Sequence, residues 1–125
     1  MKHKLDESKS IFLQIKEYIE DDIIHGNLNE GDQVPSTNQF AAHFQINPAT
    51  AAKGIHLLVE EGILYKKRGI GMFVAEGAKA ALLKKRREHF YENYVLKLLQ
   101  EAEKIQISKE DIIDMITYGK GGKKA

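Results

Sequence analysis

The chain has 125 residues, of which 42% are hydrophobic and 30% charged, and its formal net charge is +1 at pH 7. This length suits one domain with an appendage and allows a modest hydrophobic core. The absence of cysteine excludes a disulfide framework and a thiolate metal site, and no apolar run approaches the roughly 18 residues of a membrane span. The first residues lack the apolar segment of a signal peptide, so we expect a cytoplasmic protein.

Charge differs between the two parts of the chain. Residues 1–77 hold eight Lys and Arg against eleven Asp and Glu, a net charge of −3, whereas residues 78–125 hold eleven against seven, a net charge of +4. A mildly acidic first part cannot bind a polyanion through general basicity. Binding there must depend on a few locally placed lysines and arginines.

A first amphipathic helix is predicted from about Ile11 to His25, ending at Gly26. Its apolar residues recur at helical spacing, which is typical of a helix that packs one face into a core. They are Ile11, Ile15, Tyr18, Ile19 and Ile23.

Two more helices are predicted close together. Ser36 is a suitable N-cap for the first, and Asn47 followed by Pro48 combines a good N-cap with the residue best suited to the first helical position. Gly62 is a suitable C-terminal cap for the second. The apolar faces of these helices are formed by Phe40, Ala41 and Phe44 and by Ile55, Leu58 and Val59.

A β-hairpin is predicted next. Residues 63–67 form one strand and residues 72–74 the return strand, while Gly69 and Gly71 allow the positive φ that a tight tip requires. Three helices followed by such a hairpin indicate a winged helix-turn-helix, a module that docks on DNA. The predicted fold class is therefore mainly α with a small β wing, a winged helix-turn-helix followed by two C-terminal helices.

This interpretation assigns DNA contacts to three places. The second helix of the pair enters the major groove, roughly 12 Å wide, with its exposed N-terminal part. The start of the preceding helix holds a phosphate through N–H and hydroxyl groups, and the wing approaches the backbone or minor groove with cations and bare glycine backbone. The predicted DNA-binding residues are Ser36, Thr37 and Asn38 on the first helix, Asn47, Ala49, Thr50 and Lys53 on the second, and Lys67, Arg68, Gly69 and Gly71 in the wing, with Lys66 leading into it.

After the wing, a long helix is predicted from about Ala78 to Ile105, with a heptad-like apolar seam. Ser108 with Asp111 resembles a capping box and begins a last short helix that ends before Gly119. Because these helices have little of their own chain to pack against, we expect a symmetric homodimer. Its predicted interface residues are Phe90, Tyr91, Tyr94, Val95, Leu98, Ala102, Ile105, Ile112 and Ile116.

The sequence thus predicts three parts: a DNA-binding domain over residues 1–77, a helical dimerisation segment over residues 78–118, and a disordered tail, GKGGKKA, over residues 119–125. A dimer would place two recognition helices on half-sites about 10 base pairs apart or a larger multiple, and so would require a palindromic operator.

Several motifs occur in the order found in one family. SIFLQI (residues 10–15) is similar to that family's opening helix, GDQVPS (residues 31–36) to its GxxLPS turn, and EGIL (residues 61–64) with GIGMFV (residues 69–74) to its EGLL and GxGTFV wing. On these motifs, which cover about half of the chain, the protein resembles the GntR family of bacterial transcription regulators. The resemblance implies a dimeric DNA-binding regulator that represses more often than it activates.

Some positions depart from the family pattern. An arginine usual after the LPS turn is Asn38 here, and arginines usual in the recognition helix are Pro48 and Ala52. The operator sequence therefore cannot be transferred from relatives. The Asn47-Pro48 start and the short C-terminal part are similar to the YtrA-like branch, in which the regulated genes often encode membrane transporters.

Other interpretations of the same features remain open. The acidic charge of residues 1–77 and the missing arginines also fit a winged-helix module that assembles with a protein partner and does not bind DNA. The basic run of residues 84–87 could extend a DNA footprint, although such a run on a helix is usually a solvated face. We interpret Gly54 as a close helix contact instead of a close approach to DNA. About 45 residues after the wing are too few for a conventional ligand-binding domain, so an unknown small-molecule effector would have to use the dimer interface or a cleft against the first domain.

Catalysis, a cofactor and a metal ion are not expected. The sequence has no nucleophile paired with a base, no paired carboxylates in a known motif and no P-loop. Gly69 and Gly71 precede a strand, so they lack the helix N-terminus of a nucleotide-binding loop. His89 and Glu92 have a spacing that permits metal ligation, but the other histidines are scattered. The apolar stripe of residues 91–105 favours packing over a cofactor pocket.

Overall fold

The computed structural model describes residues 5–6 and 8–119. Over these residues the chain forms six α-helices, one π-helical turn and one three-stranded sheet. The predicted disordered tail falls, apart from Gly119, outside the described residues. In chain order the elements are α1 (Ile11–Ile24), β1 (Gln33–Val34), α2 (Thr37–Phe44), α3 (Pro48–Glu60), β2 (Leu64–Lys67), β3 (Gly71–Val74), α4 (Ala78–Glu88), the π turn (Tyr91–Val95), α5 (Leu96–Lys104) and α6 (Lys109–Tyr118).

The local signals in the sequence set the helix boundaries as predicted. Ser36, Asn47 and Ser108 are the N-caps of α2, α3 and α6, and each side chain accepts a hydrogen bond from a backbone N–H of the first turn. Pro48 is the first residue of α3. Gly62 follows the end of α3 with φ of +77°, the left-handed conformation that a glycine cap supplies.

The sheet is antiparallel, with strand order β1-β3-β2. Tyr65 on β2 is opposite Phe73 on β3, and Val34 on β1 is opposite Met72. The hairpin of β2 and β3 is the predicted wing, so the fold class is confirmed. The sequence did not predict β1, because two residues are too few to show the alternation of a strand.

The chain divides into two compact units, the first ending at Lys84 and the second beginning at Lys85. The first unit holds a core in which α1 and α3 are closely packed. A Cβ atom on Gly54 would lie 2.5 Å from the Phe12 carbonyl oxygen and 3.2 Å from Ile15 Cβ, so this glycine permits the close approach of the two helices. The most completely buried large side chains are Ile15, Ile19, Ile23, Ile55, Leu58, Leu64, Val74 and Leu82.

One ion cluster also joins α1 to the end of α3. Lys16 Nζ lies 3.0 Å from Glu20 Oε2 on the same helix and 3.3 Å from Glu61 Oε2 at the C-cap of α3. Burial lowers the pKa of Lys16, but its hydrogen bonds to the two carboxylates and their negative charge outweigh this, so the pKa is raised. The lysine therefore stays charged while it holds two elements of the core together.

The second unit departs from the predicted single long helix. A π turn at Tyr91–Val95 separates α4 from α5 and adds one residue to the helical repeat. This addition changes which residues share a face, so the predicted seam is split. Ala102 on α5 and Ile112 on α6 are buried, whereas Leu98 is exposed.

Candidate nucleic-acid interface

The N-terminal part of α3 is exposed and begins at a well-defined point. Asn47 Oδ1 accepts a hydrogen bond from the Ala49 backbone N–H at 2.7 Å, and Pro48 fixes the first helical φ. The Ala49 side chain is exposed, Thr50 is partly exposed, and both lie in the first turn. A helix start with small exposed side chains can approach the edges of bases closely.

Lys53 lies one turn further along α3 but its amine points toward α1. Lys53 Nζ is 4.1 Å from the centroid of the Phe12 ring, which is a cation–π contact. An exposed contact of this kind contributes about 0.5–1 kcal/mol, an amount that a phosphate or a base can replace. The sequence predicts Lys53 among the DNA-binding residues of this helix. The structure shows that the residue is exposed and that its charge lies beside the start of α1.

The start of α2 is the second candidate contact. Ser36 Oγ accepts a hydrogen bond from the Gln39 backbone N–H at 3.1 Å, and Gln39 Oε1 accepts one from the Ser36 N–H at 2.7 Å. This capping box leaves the Thr37 and Asn38 N–H groups of the first turn without helical partners. Together with the positive end of the helix dipole, such groups favour an anion.

A groove of about 650 Å³ separates the start of α2 from the wing. One wall is formed by residues 33–39, and the other by Lys66 and residues 70–72. The groove therefore has N–H and hydroxyl groups on one side and a lysine with glycine backbone on the other. This combination of donors and positive charge suits the phosphate backbone of a nucleic acid.

The three cations of the wing lie in different surroundings. Because successive side chains of a strand point to opposite faces, Lys66 and Lys67 separate. Lys66 lines the groove, while Lys67 Nζ lies 4.4 Å from the centroid of the Phe73 ring. Phe73 in turn pairs with Tyr65, their ring centroids 5.9 Å apart. Arg68 is exposed at the tip.

The tip of the wing is fixed by Gln33 of β1. Gln33 Nε2 donates a hydrogen bond to the Ile70 carbonyl oxygen at 3.1 Å, and the Ile70 N–H donates to the Lys67 carbonyl oxygen at 2.9 Å. A Cβ atom on Gly71 would lie 2.5 Å from Gln33 Nε2, and its φ is +148°. Glycine suits this position because L side chains rarely adopt this φ, and an added Cβ would also push the flexible end of the Gln33 side chain aside.

The structure thus groups the sequence-predicted residues into three sets. Ser36, Thr37, Asn38 and Gly71 line one groove with Lys66. The second set, at the start of α3, contains Asn47, Ala49, Thr50 and Lys53. The third set, on the exposed wing, contains Lys67, Arg68 and Gly69.

Three residues on or near the candidate contacts were missed or not distinguished by sequence reasoning. Gln33 acts through a contact 37 residues away along the chain, for which no local signal exists. Lys66 could have been separated from Lys67 by the strand period of two. His56 is exposed on α3 one turn after Lys53, and the helical spacing of three residues would have found it.

No helix among the described residues is long and apolar enough to cross a membrane. Within residues 5–6 and 8–119, no group of three or more His, Cys, Asp or Glu side chains is arranged to hold a metal ion.

Two curated relatives match substantial parts of the chain. An uncharacterised HTH-type transcriptional regulator of Bacillus subtilis, YhcF, is 27% identical over 98% of this chain and 100% of its own length. The HTH-type transcriptional repressor YtrA of the same organism is 33% identical over 61% of this chain and 58% of its own length. The match to YtrA agrees with the similarity to the YtrA-like branch.

Solved structures have the same fold. A GntR family transcriptional regulator from Listeria monocytogenes is 30% identical, with a TM-score of 0.75, over 90% of this chain and 97% of that one. The DNA-binding domain of AraR in complex with the operator ORX1 is 32% identical, with a TM-score of 0.51, over 60% of this chain and 92% of that one. The first likeness includes residues of the second compact unit, whereas the second is limited to a smaller part of the chain.

The family of bacterial regulatory proteins described as the gntR family matches residues 12–74, which is half of the chain. These residues include α1 from its second residue, the three strands, and the helices α2 and α3 that carry the candidate contacts. The chain belongs to the GntR family of bacterial transcription regulators.

Proposed function

We propose that this DNA-binding regulator represses transcription by binding a palindromic operator as a homodimer. The groove between the start of α2 and the wing carries the proposal, because it combines a capped helix N-terminus with Lys66 and bare glycine backbone. The operator-bound state of the AraR domain and the repressor function of YtrA support it by similarity.

Each part of the interface has a distinct role in this proposal. Phosphate contacts from Ser36, Thr37 and Lys66 position the protein, and the exposed start of α3 reads base edges in the major groove. Arg68 at the wing tip approaches the minor groove or the adjacent backbone. Sequence preference then depends on Ala49, Thr50 and Lys53, since phosphate contacts carry no sequence information.

The dimer interface is proposed to lie in the second compact unit. Large apolar side chains are exposed there, including Tyr94 at 65% and Ile116 at 76%. Such exposure is typical of surfaces that pack against another protein. We assign Ala102 and Ile112 to the interior of the α5–α6 pair, since they are already buried. The proposed interface residues are Phe90, Tyr91, Tyr94, Val95, Leu98, Ile105 and Ile116.

A DNA-binding titration tests the first part of the proposal. Fluorescence anisotropy is measured with DNA from upstream of the protein's own gene and with scrambled DNA, each at two salt concentrations. We expect tighter, salt-sensitive binding to the native fragment, saturating at two chains per site. Absence of DNA binding to a panel of upstream fragments would instead favour a winged-helix module that assembles with a protein, the second candidate suggested by the acidic charge of residues 1–77.

Sedimentation equilibrium tests the dimer. Leu98→Asp places a charge in the proposed interface and should raise the dimer dissociation constant by about a hundredfold or more, because an unpaired charge is costly to bury. Gln100→Asp is the matched control, since it adds the same charge to an exposed position about 200° around α5. Equal weakening by both variants, or by neither, would place the interface elsewhere.

The proposal also covers the location of the protein, its lack of catalysis and the genes that it controls. We propose that the protein acts in the cytoplasm, has no catalytic activity, and controls genes for membrane transport, as the YtrA-like resemblance suggests. Residues 1–77 serve as the DNA-binding domain and residues 78–118 as the dimerisation segment in this proposal.

A further inference from the structure

A cavity of about 320 Å³ opens on the surface of the first compact unit, away from the groove wall formed by the wing. It is bordered by the second half of α1, the loop after it, and one face of α2. This volume is at the lower end of the range for small-molecule sites. Neither the predicted DNA contacts nor the proposed dimer interface account for it.

Three aromatic rings form the apolar wall of this cavity. Tyr18 meets Phe44 edge to face, with ring centroids 5.5 Å apart and planes at 79°. Phe40 lies 6.3 Å from Tyr18 and is nearly parallel to Phe44. Leu28 closes the wall from the loop after α1. The rings support one another in fixed positions, so they form a preorganised apolar surface.

One carboxylate faces this apolar wall. Asp22 is hydrogen-bonded to the Tyr18 hydroxyl, and Asn27 Nδ2 donates to Asp22 Oδ1 at 3.3 Å. Burial raises the pKa of Tyr18, and the negative charge of Asp22 and the hydrogen bond raise it further, so the phenol stays a donor at neutral pH. A carboxylate has about four acceptor positions, and these two donors leave room for another.

We propose that this cavity binds a small protonated amine with an aromatic or branched apolar body. The body packs against Phe40 and Phe44, and the ammonium group donates to Asp22, with a cation–π contribution from Tyr18. The Asp22 charge next to the rings favours a cation over an anion at this end of the cavity, whose lining also includes His43 beside Phe44. A neutral apolar ligand has no ammonium group to donate a hydrogen bond to the Asp22 carboxylate.

The cavity adjoins the DNA-binding surface through α2. Pro35 and Gln39 line both the cavity and the groove, and Gln39 completes the capping box with Ser36. An occupant that touches Phe40 and Phe44 therefore acts on the helix that presents Ser36. The site is thus a candidate for the effector, and this regulatory role rests on the proposed DNA binding.

Binding is tested without DNA on the full chain, by ¹⁵N NMR titration with 2-phenylethylamine as the probe. We expect saturable shifts confined to residues 18–28 and 35–44, with a dissociation constant on the order of a millimolar for so small a molecule. The neutral isostere 2-phenylethanol should bind about tenfold more weakly. Shifts elsewhere in the chain, or equal binding of amine and alcohol, would overturn the proposal.

Two variants of matched charge sharpen this test. Asp22→Asn keeps the shape of the side chain and should weaken amine binding about tenfold, while leaving the weak binding of the alcohol unchanged. Asp21→Asn removes the same charge from the neighbouring residue, which does not line the cavity, and should have no comparable effect. Equal loss in both variants would mean that general charge attracts the amine and would remove Asp22 from the site.

A second measurement separates the regulatory role from the site itself. Saturating amine should change the dissociation constant for operator DNA by about fivefold or more in the wild type and not in Asp22→Asn. A protein that binds the amine but no DNA contradicts the proposed function and leaves the site intact. DNA binding that does not respond to bound amine contradicts the regulatory role.

Discussion

The two compact units of the chain place their apolar side chains in opposite ways. The large side chains that are fully buried all lie at or before Leu82. Among the described residues, eight of the eleven exposed large hydrophobic side chains lie between Phe90 and Tyr118. The first unit therefore has a hydrophobic core within one chain, whereas the second exposes apolar side chains of the kind that pack against another protein.

This difference separates the folding stability of one chain from the stability that association with a partner adds. Burial in the first unit is complete within one chain, so its stability should not depend on protein concentration. In the proposed dimer the exposed apolar side chains of the second unit are covered by the partner subunit, so their contribution to stability should follow mass action. Substitutions on the surface of the first unit should therefore change DNA contacts without changing subunit association, whereas a weaker dimer should also weaken binding to a palindromic operator.

A pair of equal truncations gives the largest expected contrast. Leu58→Ala removes a side chain that is 0% exposed and should lower the free energy of unfolding by about 2–5 kcal/mol at any concentration. Ile116→Ala removes one that is 76% exposed and should leave the stability of the monomer almost unchanged while weakening the dimer. Urea unfolding at two protein concentrations measures both. A large, concentration-independent loss in Ile116→Ala would show that its side chain is buried in the monomer.

The packing of α1 against α3 can be tested by the sign of one change. In an exposed helix, Gly→Ala stabilises by about 1 kcal/mol. At Gly54 the added Cβ would lie 2.5 Å from a backbone oxygen, so we expect Gly54→Ala to destabilise by about 1–3 kcal/mol instead. Thermal or urea unfolding decides the sign. Ala52→Gly, on the exposed face of the same helix, is the control and should cost about 1 kcal/mol by propensity alone. A gain in stability in Gly54→Ala would contradict the close helix contact.

Much of the first unit could be predicted because its signals are local. Ser36, Asn47, Pro48 and Gly62 each act on backbone groups within a few residues, so their positions alone define two helices and a turn. The motifs that resemble the GntR family include Ser36, Gly62 and the wing, and the family prediction is confirmed.

The parts that were missed depend on contacts between distant residues. β1 exists because it pairs with β3, and its two residues show no strand pattern by themselves. The π turn is a local feature, but its sequence contains neither a proline nor a glycine that would predict the break in the seam. Lys53 could be placed on an exposed face, but its contact with Phe12 joins two helices and is not visible in the spacing of either.

Within the first unit, Lys66 provides a smaller and more specific test of the groove. Lys66→Ala should weaken DNA binding by about 1 kcal/mol and reduce the salt dependence by about one phosphate contact, since the lysine lines the groove. Anisotropy titrations at several salt concentrations give the slope. Lys79→Ala removes an exposed lysine of α4 that does not line the groove and should leave the slope unchanged. Equal slopes for wild type and Lys66→Ala would exclude a phosphate contact by Lys66.

The smallest expected effect concerns Gln33. Its substitution tests whether holding the wing tip in position matters apart from direct charge contacts with DNA. Gln33→Ala removes the hydrogen bond to the Ile70 carbonyl, so the wing tip loses its attachment to β1. We expect DNA affinity to fall by about 0.5 kcal/mol, roughly twofold, with an unchanged salt slope because no charge is removed. Faster amide exchange at Ile70, whose N–H donates to Lys67, should accompany this loss. If exchange and affinity both match the wild type, the wing tip is held by its own turn, and β1 serves only to complete the sheet.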